Sequence, residues 1–295
     1  MANQHQVDFI RGGTRMFGII GDPIDQVRSP EMVTWAFHQR GIDAVVVPLH
    51  VRSAEFERVM PALMRLANFG GFILTVPFKA RAVRFADRLG SQGALLGGIN
   101  QLVRRADGGW SGDMFDGMGC VAAFTHRGIA IRGKRMMLIG LGGAGSAIAI
   151  AMAGEKPALM RIHDLEAERT IRVKAQIEQI SPDTLVEVGP PSVEGMDLLL
   201  NATPVGMLGD PRLPIDTRTL PAQLVVFDAI TKPEDTPLLS LAQACGCQIL
   251  RGREMMLGQI ARLVDGFLDP GSVGEPRLQA PPASPFKDQT PPIAN

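Results

Sequence analysis

Charge of one sign, long apolar runs, cysteine and tyrosine are all scarce in this chain, and each shortage narrows what it can be. Thirty basic residues balance thirty acidic ones, so the net charge is zero and no general field gathers nucleic acid or anionic lipid. No apolar run approaches the roughly 20 residues that span a bilayer. Three cysteines among 295 residues are too few for a disulfide framework. Cys245 and Cys247 flank one glycine, but no second Cys or His cluster accompanies them, so buried thiols beside a strand outrank a metal or redox site. No metal is expected. The opening residues, MANQHQVDFIRGG, lack a basic-then-apolar signal pattern. A cytoplasmic protein with a small-molecule ligand, no nucleic-acid or membrane partner, and a monomeric or homodimeric state is the expectation.

What is present is globular: 45% hydrophobic and 20% charged residues, in a length that suits two domains. MFGIIG (16–21), AVVVPLH (44–50) and GGFILTVP (70–77) read as buried strands separated by segments with helical spacing. Ser29 is expected to cap a helix that has Pro30 at its first position. A further helix is expected over KARAVRFADRL (79–89), then the strand INQLVRR and the turn ADGGWSGD. A small, mostly parallel sheet results, in a substrate domain over 1–115.

From Lys134 a second series of strands and helices alternates as in a doubly wound nucleotide-binding domain, here 116–252. A last helix, 253–268, is expected to return to the first domain. The Pro-rich segment 270–295 reads as a loose tail. The fold class is therefore α/β, an N-terminal substrate domain followed by a Rossmann domain.

MMLIG runs into Gly140-Leu141-Gly142-Gly143-Ala144-Gly145 and an alanine-rich helix, which is G-x-G-x-x-G in its strand-turn-helix setting. Gly140 permits the tight turn, Gly142 the approach of a pyrophosphate, and Gly145 close helix packing. Gly143 and Ala144 open the helix whose N–H groups meet phosphate. About twenty residues on, His163-Asp164 closes the next strand. A carboxylate there suits the ribose hydroxyls of NAD and repels a 2′-phosphate, while Arg161 and Arg169 keep NADP open. Simple helix capping is the alternative role for Asp164.

Gly21-Asp22-Pro23-Ile24 with Arg28-Ser29-Pro30, Thr75-Val76-Pro77-Phe78-Lys79, Gly98-Ile99-Asn100, Gly112-Asp113 with Asp116-Gly117, Asn201-Ala202-Thr203-Pro204-Val205-Gly206-Met207, and Gly252 with Met255 and Gln259 occur in this order. Together with the glycine turn they span most of the chain, and the sequence resembles the shikimate/quinate dehydrogenase family. The resemblance implies a ring alcohol and its ketone interconverted with NAD(P), and Lys79 and Asp116 as the catalytic pair. Chemistry alone cannot separate Lys79 from any exposed lysine at a helix start, although a poorly solvated amine is a suitable base.

By the same resemblance Asn100 and Gln259 hydrogen-bond ring hydroxyls, Thr75 lies near the substrate, and Ser29 faces its carboxylate. Taken singly, Asn100 could cap a turn, Gln259 be an ordinary helix polar residue, and Thr75 fill a strand. Asn201, Thr203, Pro204 and Met207 follow an apolar strand at the carboxyl edge and are assigned to the nicotinamide end.

The match also departs from the family. Val27 stands where a serine is usual, and Thr231 where a tyrosine follows the strand of Asp228. Two lost donors remove several kcal/mol from a bound carboxylate unless replaced, at roughly 1.5–3 kcal/mol each. Met114, Phe115 and Ile73 replace polar residues and are expected to make the pocket edge more apolar. Retained alcohol/ketone chemistry on a shikimate relative with a different C1 side is the leading expectation. A catalytically silent NAD-binding sensor of the same fold is the alternative, disfavoured by the intact Lys79 and Asp116.

Overall fold

The computed structural model describes residues 10–269; the expected Pro-rich tail lies outside them. Two six-stranded sheets organise the chain. The first is built from β1 (Arg15–Gly21), β2 (Ala44–His50), β3 (Phe69–Leu74), β4 (Arg88–Leu89), β5 (Gln101–Arg104) and β6 (Trp110–Asp113), in the order β2-β1-β3-β5-β6-β4. β1 runs parallel to both β2 and β3, and β4 parallel to β6; the β5–β6 hairpin and its contact with β3 are antiparallel.

α1 (Ser29–Gln39) packs on β2. Ser29 is its first residue rather than its cap, and its hydroxyl meets Met256 Sδ at 3.7 Å instead of a helix N–H. The expected helix over 79–89 is a short 3-10 turn, Arg81–Phe85, leading into β4. Tertiary pairing overrides its helical spacing, because Asp87 N donates to Trp110 O at 2.8 Å and Gly90 N to Gly112 O at 2.8 Å. Short helices α2 (Phe56–Leu63) and α3 (Ser91–Leu96) complete this half.

The second sheet holds β7 (Arg135–Ile139), β8 (Leu159–His163), β9 (Leu185–Val188), β10 (Leu198–Asn201), β11 (Val225–Asp228) and β12 (Gln248–Arg251). All are parallel, in the order β12-β11-β10-β7-β8-β9. The order reverses between β7 and β10, and a doubly wound sheet opens a crevice at that point, above the carboxyl ends of its strands. The strands are near-continuous apolar runs because helices cover both faces. Those helices include α5 (Gly143–Gly154), α6 (Ala167–Ile180) and α7 (Pro237–Ala244).

Two helices join the lobes. α4 (Asp116–His126) packs on α5 and on α8 (Gly252–Leu268). α8 packs on the first sheet: Met256, Ile260, Leu263, Val264 and Phe267 share a core with Phe17, Phe37 and Ile73. Phe267 stacks 4.3 Å from Phe17, ring centre to ring centre. The α4–α8 crossing is close enough that a side chain on Gly119 would strike the Met255 carbonyl and the base of Gln259. Glycine at that contact is what brings Gln259 beside the first turn of α4.

No helix among the described residues is long and apolar enough to cross a membrane. None of their His, Cys, Asp and Glu side chains form a group of three or more placed to hold a metal ion. Cys245 Sγ accepts from Leu220 N at 3.4 Å and Cys247 Sγ donates to Pro221 O at 3.3 Å, at the edge of the second sheet away from the glycine turn.

Candidate active site

The turn after β3 delivers Lys79. Phe78, wholly buried and stacked on Phe56 at 4.1 Å, anchors the turn from below, and Lys79 O accepts Ile99 N at 2.9 Å. The amine of Lys79 is bonded to Asp116 Oδ2, with both side chains largely buried. Asp116 opens α4, where exposed helical N–H groups favour a carboxylate. Its other oxygen, Oδ1, accepts from Asn100 Nδ2 at 2.8 Å.

Asn100 is saturated. Its amide nitrogen also donates to Gln259 Oε1 at 2.9 Å, and its Oδ1 accepts Phe115 N at 3.0 Å. The amide therefore aligns Asp116 and Gln259, a role the motif match did not suggest. Because Gln259 Oε1 is taken, its Nε2 is the group left to donate to a ligand. Thr75 sits half-buried one turn earlier, its backbone holding β1 through Ile20 O at 3.0 Å.

The glycine turn faces this cluster. Gly140 has φ +89°, a left-handed value that favours glycine, and a side chain on Gly145 would collide with the Gly140 carbonyl. A side chain on Gly142 would meet nothing within 4 Å, so its backbone borders open space. The cap of α5 offers no side-chain acceptor to the first N–H groups of that helix, which leaves them for an anion. These features fit a dinucleotide pyrophosphate. Next to the turn, a methyl built on Gly143 would sit 3.3 Å from Lys79 Cδ. Through the Lys79 stem, the cluster of Lys79, Asp116, Asn100 and Gln259 thus borders the glycine turn.

Asp164 serves the same turn in an unexpected way. Its Oδ2 accepts Leu141 N at 2.6 Å, its Oδ1 accepts Glu166 N at 2.9 Å, and Arg169 approaches both oxygens at 3.1 and 3.2 Å. Burial alone would raise its pKa, but these donors prevail and hold the carboxyl below its ordinary value. It does not cap α6, whose cap is Glu166. Arg169 is bound as well to Glu166 at 2.6 Å, and Arg161 to Glu187 at 2.7 Å.

At the end of β10, Asn201 is buried, its Oδ1 accepting Thr203 N and Thr203 Oγ1 at 3.0 and 2.7 Å. Thr203 packs against Gly140, so this turn borders the glycine turn, and Pro204 O accepts Met207 N at 3.1 Å.

Ile73, Met114 and Phe115 are each at most 5% exposed, as buried as Asn100 and Asp116 of the cluster. Thr231 donates its hydroxyl to Gln26 O at 3.2 Å, tying the second lobe to the first, while Val27 packs partly buried against the α1–α8 core.

A lobe with a dinucleotide turn, closed by a second lobe that contributes an amine and a carboxylate, defines the class: a nicotinamide-dependent dehydrogenase acting on CH–OH groups. Residues 19–102 match the model of the shikimate dehydrogenase substrate binding domain. The chain is 34% identical over 253 residues to the shikimate dehydrogenase (NADP(+)) of Dinoroseobacter shibae, covering 83% of this chain and 88% of that protein. Among solved structures it resembles shikimate 5-dehydrogenase from Listeria monocytogenes in complex with shikimate and NAD, with TM-score 0.76 and 29% identity over 88% of this chain and 93% of that one. It also resembles 5-ketofructose reductase of Gluconobacter sp., with TM-score 0.73 and 27% identity over 86% and 93%. The chain belongs to the shikimate dehydrogenase family.

Proposed function

We propose that the protein transfers hydride between NAD and a ring hydroxyl of shikimate, quinate or a related cyclic alcohol, with Lys79 and Asp116 as the catalytic pair. One observation carries this reading: the Lys79 amine is bonded to Asp116 while the stem of the same lysine lies against Gly143 of the glycine turn. The first turn of α5, from Gly142 to Gly145, would hold the pyrophosphate, and Asn201 to Met207 the nicotinamide end. When bound, the nicotinamide supplies the hydride acceptor or donor.

The chain's own residues handle the proton. In the oxidation direction Lys79 Nζ takes it from the substrate hydroxyl as the carbonyl forms, and in reduction returns it to the carbonyl oxygen. Asp116 orients that amine through Oδ2, and Asn100 holds Asp116 in register through Oδ1. Gln259 Nε2 and Thr75 are placed to bind neighbouring hydroxyls.

NAD is favoured over NADP by charge. Asp164 brings a carboxylate to the adenosine end, and the two arginines near it already hold Glu166, Asp164 and Glu187. A 2′-phosphate would meet repulsion from Asp164, with Arg161 and Arg169 already paired to carboxylates.

The carboxylate end of the substrate is held differently from the family pattern. Thr231 gives its hydroxyl to Gln26 O, Ser29 lies against Met256, and Val27 offers no donor. Uncharged ring alcohols or ketoses therefore join shikimate and quinate as candidates, in line with the ketose activity of the Gluconobacter relative. Steady-state turnover across shikimate, quinate, their esterified or decarboxylated analogues and keto-sugars, each with NAD and NADP, tests the reading. It expects NAD-linked turnover with little dependence on the carboxylate; a wide preference for shikimate with NADP would overturn both refinements.

A further inference from the structure

We propose that Asp228 is a positioning residue for the dinucleotide: a buried acceptor that sets the amide orientation of Asn201 and, through it, the shape of the turn from Thr203 to Met207. The inference rests on the reading that this turn meets the nicotinamide end. Asp228 and Asn201 end adjacent parallel strands, in direct register, and both are 0% exposed. They lie at the edge of the sheet where a doubly wound fold gathers its ligand.

Asp228 has three uncharged partners. Ile230 N and Thr236 Oγ1 donate to it at 3.0 and 2.7 Å, and Asn201 Nδ2 at 3.2 Å. An ionised carboxylate accepts only, so it draws the NH2 side of Asn201 toward itself. The Asn201 oxygen is then turned outward, where it takes both the N–H and the hydroxyl of Thr203. With its proton committed to Asn201, Thr203 Oγ1 accepts Val205 N at 3.2 Å. Asn201 Nδ2 also reaches Val205 O at 3.4 Å. The direction of every hydrogen bond in the turn follows from one acceptor beneath it.

The same logic runs through Thr236. Having given its proton to Asp228, it accepts Leu239 N at 3.2 Å and caps α7. Thr236 and Pro237 lie against Gly206 of the turn, and the start of α8 at Gly252 abuts the carbonyls of Ala229 and Ile230 just after Asp228. α8 carries Gln259. One carboxylate thus underlies the cofactor turn and the helix that reaches the substrate. For stability alone, apolar or amide residues would serve this interior at lower desolvation cost.

The test is Asp228→Asn beside the exchange variant Asn201→Asp/Asp228→Asn. A single asparagine has one acceptor oxygen and must set its own N–H groups against a donor. The exchange restores an acceptor beneath Thr203 and a donor opposite it. Fluorescence titration is expected to show NADH binding weakened about tenfold in D228N. ADP-ribose, which lacks the nicotinamide, is expected to bind unchanged. The exchange variant keeps the donor–acceptor pair between positions 201 and 228 but leaves Ile230 N and Val205 O without theirs, so it is expected to recover part of the NADH affinity. Unchanged NADH binding in D228N, equal loss for ADP-ribose, or a folded exchange variant without recovery would each overturn the proposal.

Thr203→Val keeps the two failures apart. It breaks the turn without touching Asp228, so unchanged NADH affinity in T203V would remove the underlying reading of the turn. Weakened binding in T203V with normal binding in D228N would remove the role of Asp228 alone.

Discussion

The side chain of Lys79 lies along Gly143: a methyl on that glycine would be 3.3 Å from Lys79 Cδ and 3.5 Å from its Cβ. The residue proposed to carry the reacting proton and the turn proposed to hold the cofactor are therefore in packing contact, although 64 positions separate them in the sequence. Gly143→Ala should push the lysine stem aside. It is expected to lower kcat/KM about tenfold, ~1.4 kcal/mol in the transition state, and to have no further effect once Lys79 is truncated. A double-mutant cycle on kcat/KM reads this coupling.

Asn100 links three groups that have no other common partner. Asn100→Leu leaves Phe115 N, Asp116 Oδ1 and Gln259 Oε1 without the amide that joins them. Urea unfolding should show a loss of about 1–3 kcal/mol for the orphaned buried groups. A larger fractional effect is expected on kcat than on the affinity for NADH.

The proposed preference for NAD rests on Asp164. Asp164→Ala removes the repulsion of a 2′-phosphate and releases one partner of Arg169. The ratio of kcat/KM for NADP over NAD should rise at least about tenfold. NAD affinity should fall at the same time, since Leu141 N loses its acceptor. Steady-state kinetics with both cofactors checks the two effects together.

Asp228 makes stability depend on acidity. Burial pushes its carboxyl up to about 6 from 3.8. Between those values the folded chain keeps a proton that the unfolded chain has released, so protonation favours the fold below about 4 and that contribution is lost as pH rises through about 6. Denaturant titrations at pH 4.5 and 7 should show D228N gaining relative to the unsubstituted protein at the higher pH, by an amount on the order of 2 kcal/mol.

The parts of this protein that follow local rules were legible in its sequence. Apolar strands alternating with helices gave the Rossmann half, and the positive φ of Gly140 and the tight seat of Gly145 are what G-x-G-x-x-G requires. The meeting of Lys79, Asp116, Asn100 and Gln259 was legible only through the family resemblance, because nothing in their spacing requires a glycine-mediated crossing of α4 and α8. Ser29 is within the helix rather than capping it, and 81–85 is a 3-10 turn, because contacts with α8 and β6 outweigh local preference. Asp164 bonds to Leu141 N, a long-range contact that motif spacing does not encode.

The central claim is that the Lys79 amine carries the proton of the reacting hydroxyl opposite the dinucleotide. Lys79→Met keeps the stem against Gly143 and deletes only the amine, so kcat/KM for NAD-linked oxidation of the best cyclic alcohol is the direct measurement. A fall of at least about 100-fold, with NADH binding unchanged by fluorescence titration, is the predicted result. A K79M enzyme as active as the unsubstituted protein would contradict it.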